Sequence, residues 1–256
     1  MIHIPTSPLV HPMFDLAAWA GGSATGFALY RWRLRDAAEA LAVKTGPGYF
    51  FSLALGAVLG AWLAGSLNTF RGPAPTLSHS IAGAMAGAIV GVEIYKAARG
   101  IKGSTGGVFV GSLCVGIIVG RFGCLFSGLA DRTYGVATDL PWAVDLGDGI
   151  GRHPVQMYES AAMAVFLGTY LIALARRADW AVKRGFYVAV AWYGAQRFCW
   201  EFLKPYPKLI GAFNLFHLIS LGLVIYGCVW FFRDRRADRV TQDRALSVSG
   251  TDHLTL

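Results

Sequence analysis

Residues 106–129 read GGVFVGSLCVGIIVGRFGCLFSGL, an apolar and glycine-rich run with a single charged side chain, Arg121. The run is long enough to cross a bilayer as a helix, which takes about 20 residues. A charge inside such a segment is costly, and it usually has a bound partner or a task. Arg121 is therefore the first candidate for a functional residue.

Similar apolar runs recur along most of the chain. Of its 256 residues, 55% are hydrophobic and 15% charged, and the mean hydropathy is +0.47. Soluble domains carry about 25% charged residues. We therefore predict an all-α, polytopic membrane protein with one seven-helix domain at residues 1–232 and a polar cytoplasmic tail at 233–256. The seven predicted spans are 14–30, 49–70, 80–97, 106–129, 156–175, 185–203 and 212–232.

The basic residues indicate the orientation of these spans. Most of the 23 Lys and Arg residues fall in alternate loops and in the C-terminal tail. Loops rich in Lys and Arg stay in the cytoplasm, so we predict an outside N-terminus, an inside C-terminus and an outward-facing arm at 131–154. The net charge of +8 is spread over short clusters between apolar runs. This distribution argues against a nucleic-acid partner.

The four cysteines give no sign of a metal or a disulfide framework. Cys114, Cys124, Cys199 and Cys228 all lie in apolar runs, and none forms a CxxC or Cys/His motif. No metal and no cofactor are therefore expected. The first apolar run has no Lys or Arg before it, so it is expected to remain as a membrane helix and not to be a cleaved signal peptide.

A second arginine within an apolar run is Arg197, in YGAQRFCWEF at residues 193–202. Glu201 follows it by four positions and Tyr193 precedes it by four, so all three share one helix face. Glu201 either forms a structural ion pair or orients Arg197 toward a phosphate. The planar guanidinium suits phosphate oxygens.

Between the two arginines lies RHPVQMYE at residues 152–159. Pro154 favours the start of a helix, and Gln156 and Glu159 then lie on one side of it. The motif is either a helix cap with an interfacial anchor or part of a site. We predict that it joins Arg121 and Arg197 in one site for an anionic lipid headgroup.

Glycines recur at helical spacing in GxxxG-like patterns. Gly83, Gly87 and Gly91 form one set, and a second set consists of Gly107, Gly111, Gly116 and Gly120. Small residues allow close helix packing in membranes, so both sets are predicted to be packing seams.

These motifs together resemble the prolipoprotein diacylglyceryl transferase family. The resemblance rests on GRFGCLFSG, TYG, PWAVDLGDG, RHPVQMYE, YGAQRFCWEF and NLFHLISL in this order. It implies a bacterial inner-membrane enzyme that moves diacylglyceryl from phosphatidylglycerol to the cysteine of a lipobox-containing preprolipoprotein. Arg121 and Arg197 match arginines of the family, and in the physical reading they hold the phosphate and stabilise charge as glycerol phosphate leaves. His153 is the remaining candidate base in this chain. The residues predicted to contact the lipid are Gly120, Gly123, Arg152, Gln156, Tyr158, Glu159, Tyr193 and Glu201.

The chain departs from the family pattern at several polar positions. Where the family reads GRxGNxxNxE, this chain has Cys124, Ser127 and Leu129 in place of the two asparagines and the glutamate. The HGG-type motif of the third helix reads SIAGAMAG at residues 80–87, without the histidine. The alternative hypothesis is a non-catalytic lipid-binding or scaffold protein that retains the arginines. A small-solute transporter is less favoured because no internal repeat is visible.

Overall fold

The computed structural model describes residues 1–70 and 76–251, with side chains up to residue 240, and it is mostly helical. Helix α1 runs through a π-helical segment, Tyr30–Leu34, into α2, so the first predicted inner loop is itself helical. The helices are α1 His11–Leu29, α2 Arg35–Lys44, α3 Pro47–Thr69, α4 Ile81–Arg99, α5 Val110–Phe126, α6 Val155–Ala175, α7 Asp179–Lys183, α8 Gly185–Trp200 and α9 Leu215–Thr251.

Five helices in the described part of the chain are long and apolar enough to cross a membrane. They are Pro47–Thr69, Ile81–Arg99, Gly107–Phe126, Val155–Ala175 and Leu215–Val240. The prediction of a mostly helical protein with several membrane helices is confirmed, whereas the count of seven spans and their orientation remain predictions. Helix α8 falls outside the five because its 16 residues are fewer than the about 20 that a span requires.

The last helix extends further than the sequence predicted. We expected a polar tail from residue 233, but α9 continues to Thr251. Residues 252–256 lie outside the described part. The polar cytoplasmic tail at 233–256 stays a prediction, and α9 runs through its first part.

Helices α3 and α4 pack backbone to backbone along the first glycine set. A Cβ built on Gly87 would lie 2.8 Å from the Cα of Gly60, and a Cβ on Gly83 would lie 2.5 Å from the Cβ of Ala64. These distances leave no room for a larger side chain, as the packing-seam prediction requires. In the second set, Gly116 and Gly120 have no atom within 4 Å of a built Cβ, so they are not seam residues.

We expect Gly87→Ala to lower the free energy of unfolding by about 1–3 kcal/mol, because overpacking forces the two backbones apart. Thermal unfolding of the purified protein in detergent measures the effect. Gly168→Ala is the matched control, since a Cβ there meets nothing within 4 Å. Equal midpoints for the two variants would contradict the close packing of α3 and α4.

The segment between α5 and α6 is built around a small sheet that includes the N-terminus. Strand β1, Ile2–His3, pairs in parallel with β2, Val144–Asp145, and β2 pairs antiparallel with β3, Gly151–Arg152. The sequence did not predict that the first residues join this segment. The sheet gives the 131–154 arm a defined path to the start of α6.

The side chain of Asp145 stabilises the turn that follows β2 through hydrogen bonds. Its Oδ1 accepts hydrogen bonds from the backbone N–H groups of Gly147, Asp148 and Gly149, and its Oδ2 lies 3.1 Å from Nδ1 of His3. The backbone hydrogen bond from Gly147, followed by the contact with His3, holds the pKa of Asp145 below its ordinary value. The ionised carboxylate therefore stabilises the folded arm.

We expect Asp145→Ala to speed proteolysis within residues 131–154 at pH 7, with Asp139→Ala as the exposed control. Because the pKa of Asp145 is lower in the folded state, its stabilisation is present above its ordinary pKa of about 4 and is lost as the pH falls further. Wild-type protein should therefore become more sensitive below about pH 4. Limited proteolysis with mass-spectrometric mapping tests this expectation, and equal cleavage of both variants would contradict it.

Candidate active site

Three helices bring their buried charged side chains to one point. Glu159 in the first turns of α6 is fully buried, and its carboxylate binds arginines from α5 and α8. Arg121 Nε lies 2.8 Å from Oε2, and Arg197 Nη1 donates to both oxygens at 2.7 and 2.8 Å. The two arginines predicted from the sequence therefore do share one site, with Glu159 between them.

The cluster continues into the segment between α8 and α9. Lys204 Nζ lies 2.6 Å from Glu159 Oε1 and 3.4 Å from Glu201. Arg197 Nη2 lies 2.7 Å from Glu201 Oε1, as their four-residue spacing predicts. Asn214 Nδ2 donates to the other oxygen of Glu201 at 3.0 Å. Lys204 and Asn214 are thus contact partners of these carboxylates that the sequence did not predict.

This cationic cluster, defined as Arg121, Arg197, Lys204, Glu159 and Glu201, carries one more positive than negative charge. Burying charges is expensive unless each is paired. Two of its buried N–H groups, Nη2 of Arg121 and Nε of Arg197, have no hydrogen-bond partner in the described protein. The cluster therefore has both the charge and the donors to accept one singly charged anion.

The cluster borders a cavity of about 1100 Å³. Arg121 and Arg197 line it at one end, and its walls come from α1, α3, α4, α5, α8 and α9. Apolar side chains such as Leu53, Met85 and Ile89 line its middle. A cationic end beside a long apolar chamber matches the two parts of an anionic lipid.

Several predicted lipid-binding residues lie in or directly behind this site. Gly120 lines the cavity, while Gly123 packs against α1, where a Cβ would lie 2.7 Å from Phe14 Cβ. Gln156 and Tyr193 are buried, and neither the Tyr193 hydroxyl nor Gln156 Oε1 has a partner in the described protein. Gly120 is thus the member of this group that meets the cavity, whereas Gly123, Gln156 and Tyr193 are not among its described lining residues.

The remaining predicted residues belong to the 131–154 arm and its junction with α6. Arg152 is held by Asp148 at 2.6 and 2.7 Å, and Tyr158 accepts a hydrogen bond from Trp142. His153 lies 3.4 Å from the Tyr158 hydroxyl, and the described residues that line the cavity include none of these three. The role of His153 as the candidate base stays a prediction.

A second polar group lines the same end of the cavity, and the sequence did not predict it. His11 Nε2 lies 3.1 Å from Asp131 Oδ1 and 3.8 Å from Cys124 Sγ, and its Nδ1 lies 3.0 Å from Asp15 Oδ2. Because 113 residues separate His11 from Cys124, no local motif could have shown this group.

Five apolar helices and an internal cationic cluster beside an apolar cavity define a multi-pass helical membrane protein. The chain belongs to the prolipoprotein diacylglyceryl transferase family, a transferase family whose model matches residues 17–233. The resemblance found in the sequence motifs is thereby confirmed.

Three relatives named phosphatidylglycerol–prolipoprotein diacylglyceryl transferase illustrate the similarity. The protein from Cupriavidus pinatubonensis is 28% identical over 285 aligned positions, which cover 94% of this chain and 99% of the relative. That from Geobacter sulfurreducens is 30% identical, with 69% and 73% covered. The match to the protein from Solidesulfovibrio magneticus, at 34% identity, spans about half of each chain, 48%.

Proposed function

We propose that this protein transfers diacylglyceryl from phosphatidylglycerol to the cysteine thiol of a lipobox-containing preprolipoprotein. Family membership and the names of the relatives support this reaction. The structural observation that carries it is the pair of unpartnered, buried N–H groups on Arg121 and Arg197 at the end of the lipid-sized cavity.

In the proposed complex, the phosphodiester accepts hydrogen bonds from Arg121 Nη2 and Arg197 Nε, and the acyl chains occupy the apolar chamber. The single negative charge of the phosphodiester offsets the excess positive charge of the cationic cluster. Glu159 and Glu201 hold the two guanidinium groups in place. Such fixed donors need little reorganisation during the reaction.

The transfer step forms one bond and breaks one. The thiolate sulfur of the acceptor attacks the glyceryl carbon that bears the phosphate, forming the carbon–sulfur bond. The carbon–oxygen bond breaks, its electron pair stays on the phosphate oxygen, and glycerol phosphate leaves. The thiol proton passes to water. Arg121 and Arg197 stabilise the negative charge that grows on the leaving phosphate.

The proposed setting is the bacterial inner membrane, with seven spans, an outside N-terminus and an inside C-terminus. Besides the five apolar helices, α1 and α8 would cross in this arrangement. The excess of Lys and Arg in alternate loops supports it. The 131–154 arm would then face outward, where an exported preprolipoprotein meets the membrane.

At the three positions where this chain departs from the GRxGNxxNxE pattern, few side chains offer a polar group to a substrate. The hydroxyl of Ser127 is buried and donates to the Gly123 carbonyl at 2.8 Å. Leu129 packs against Leu125, Val144 and Leu146. Of these three positions, Cys124 is the one that lines the cavity in the described part of the chain, where it would meet the substrate.

Rescue of a bacterium depleted of its own transferase tests the proposal in cells. We expect the wild-type chain to restore growth and lipoprotein modification, and the Arg121→Ala/Arg197→Ala double variant to restore neither at equal membrane abundance. If the well-inserted wild-type chain fails to restore lipoprotein modification, the proposed reaction is contradicted and the non-catalytic lipid-binding hypothesis gains support.

A further inference from the structure

We propose that His11 Nε2, Cys124 Sγ and the Asp131 carboxylate bind one thiophilic divalent metal ion, Zn²⁺, at the outer end of the cavity. One ligand atom from each residue lies within 4.8 Å of the other two. Their bond lengths to zinc of about 2.0–2.3 Å require ligand atoms to be roughly 3.5 Å apart. The observed 3.1 Å from Nε2 to Oδ1 and 3.8 Å from Nε2 to Sγ are close to this value.

The ligand chemistry selects the ion. A thiolate, an imidazole and a carboxylate together suit zinc, whereas calcium and magnesium prefer oxygen ligands alone. Three protein ligands leave one tetrahedral position for water or a substrate. All three residues line the cavity, so that fourth position is within reach of a bound molecule.

Neighbouring side chains orient two of the three ligands. Asp15 Oδ2 lies 3.0 Å from Nδ1 of His11 and thereby leaves Nε2 for the metal. Thr133 donates its hydroxyl hydrogen bond to Asp131 Oδ2, which leaves Oδ1 facing His11. Carboxylate–histidine pairs of this kind are usual around metal ligands, because they fix the tautomer and the ring orientation.

The local charges can balance a divalent ion. Asp15 and Asp131 flank His11 from opposite ring nitrogens. The nearby cation, Arg121, is 3.8 Å from Cys124 Sγ but is paired with Glu159 at 2.8 Å. Binding releases to water any proton on His11 Nε2 and the proton of the Cys124 thiol, because a metal binds neutral imidazole and thiolate.

Because the ion would lie beside Arg121, it could bind the acceptor thiol close to the phosphate. A thiol that enters the fourth position loses its proton to water and is held as a thiolate next to the phosphate-binding arginines. This role of the ion in binding the acceptor thiol rests on the proposed function, whereas metal binding itself does not. A measurement of metal content therefore tests the zinc site even if the transfer reaction is not observed.

Metal content of the full-length protein tests the site. Protein purified in detergent with a tag that lacks histidines should contain about one zinc per chain by plasma mass spectrometry, as a single site predicts. We expect Cys124→Ser, His11→Ala and Asp131→Asn each to lower the zinc content at least roughly tenfold, in line with loss of a ligand. Cys199→Ser and Asp139→Asn, changed outside the site, should keep it.

Cobalt substitution gives a second readout that keeps the ligands intact. Co²⁺ bound to the wild-type chain should show a thiolate-to-metal charge-transfer band, which persists when Cys114, Cys199 and Cys228 are all changed to serine. A wild-type chain without bound zinc and without this cobalt band would overturn the proposal. Zinc content that is unchanged in Cys124→Ser would overturn it as well.

Discussion

Replacing Glu159 by glutamine is expected to lower the free energy of unfolding by about 3–5 kcal/mol and to abolish activity, because removing one partner of a buried ion pair strands the other. Glu159 is fully buried and contacts Arg121, Arg197 and Lys204 at 2.6–2.8 Å. In the variant, three buried cations would share a single carboxylate, that of Glu201. Repulsion among the cations would then displace both arginines from the cavity.

Chemical or thermal unfolding in detergent, measured beside transfer activity, tests this expectation. Glu39→Gln is the matched control, because Glu39 forms an exposed pair with Arg35 at 2.9 Å. Exposed pairs contribute about 0–1 kcal/mol. A Glu159→Gln protein with wild-type stability and wild-type activity would show that the cationic cluster does not organise the site.

Arg121→Ala and Arg197→Ala are each expected to reduce the transfer rate by about 100- to 1000-fold, the loss found when one preorganised charge-stabilising donor is removed. Lysine should not restore the rate in either position, because it lacks the planar fork that contacts Glu159 and the phosphate together. Initial rates with phosphatidylglycerol vesicles and a lipobox peptide give the comparison.

A control variant and a binding measurement accompany this series. Arg99→Ala changes an arginine at the end of α4, where the side chain lies over the Tyr95 ring, and should leave the rate unchanged. Binding of phosphatidylglycerol should weaken in Arg121→Ala and Arg197→Ala but not in Arg99→Ala. If all three variants show the same rate, the arginines do not hold the reacting phosphate.

Much of the fold followed from local patterns in the sequence. Apolar length alone predicted the five helices that can cross a membrane, since a span must satisfy its own backbone hydrogen bonds within one segment. The spacing of Arg197 and Glu201 predicted their contact, because residues four positions apart on a helix lie side by side.

The residues that complete the site come from distant parts of the chain, and spacing along the sequence does not predict such contacts. Glu159 contacts Arg197, which lies 38 positions later in the chain. Lys204 comes directly after the sixth predicted span, 185–203, and no motif marks it as a partner of Glu159. The role of His153 as a base stays a prediction, since a polar motif at a helix start does not show which way the preceding residues turn. Here they turn toward Trp142 and Tyr158 in the arm.

The surroundings of Cys124 became visible only in the structure. In the sequence it is a departure from the family pattern. In the structure it lies beside His11 and Asp131 at the cavity, 3.8 Å from an Arg121 nitrogen. Cys124, His11 and Asp131 lie on separate segments, which the packing of α1 against α5 brings together.

The most direct test of the central claim is mass spectrometry of a lipobox peptide incubated with the purified protein and phosphatidylglycerol. The account predicts a peptide that carries diacylglyceryl in thioether linkage on its cysteine, with glycerol phosphate released in equal amount, and no product from the Arg121→Ala/Arg197→Ala variant. An unmodified peptide in the presence of folded, lipid-binding wild-type protein would contradict it.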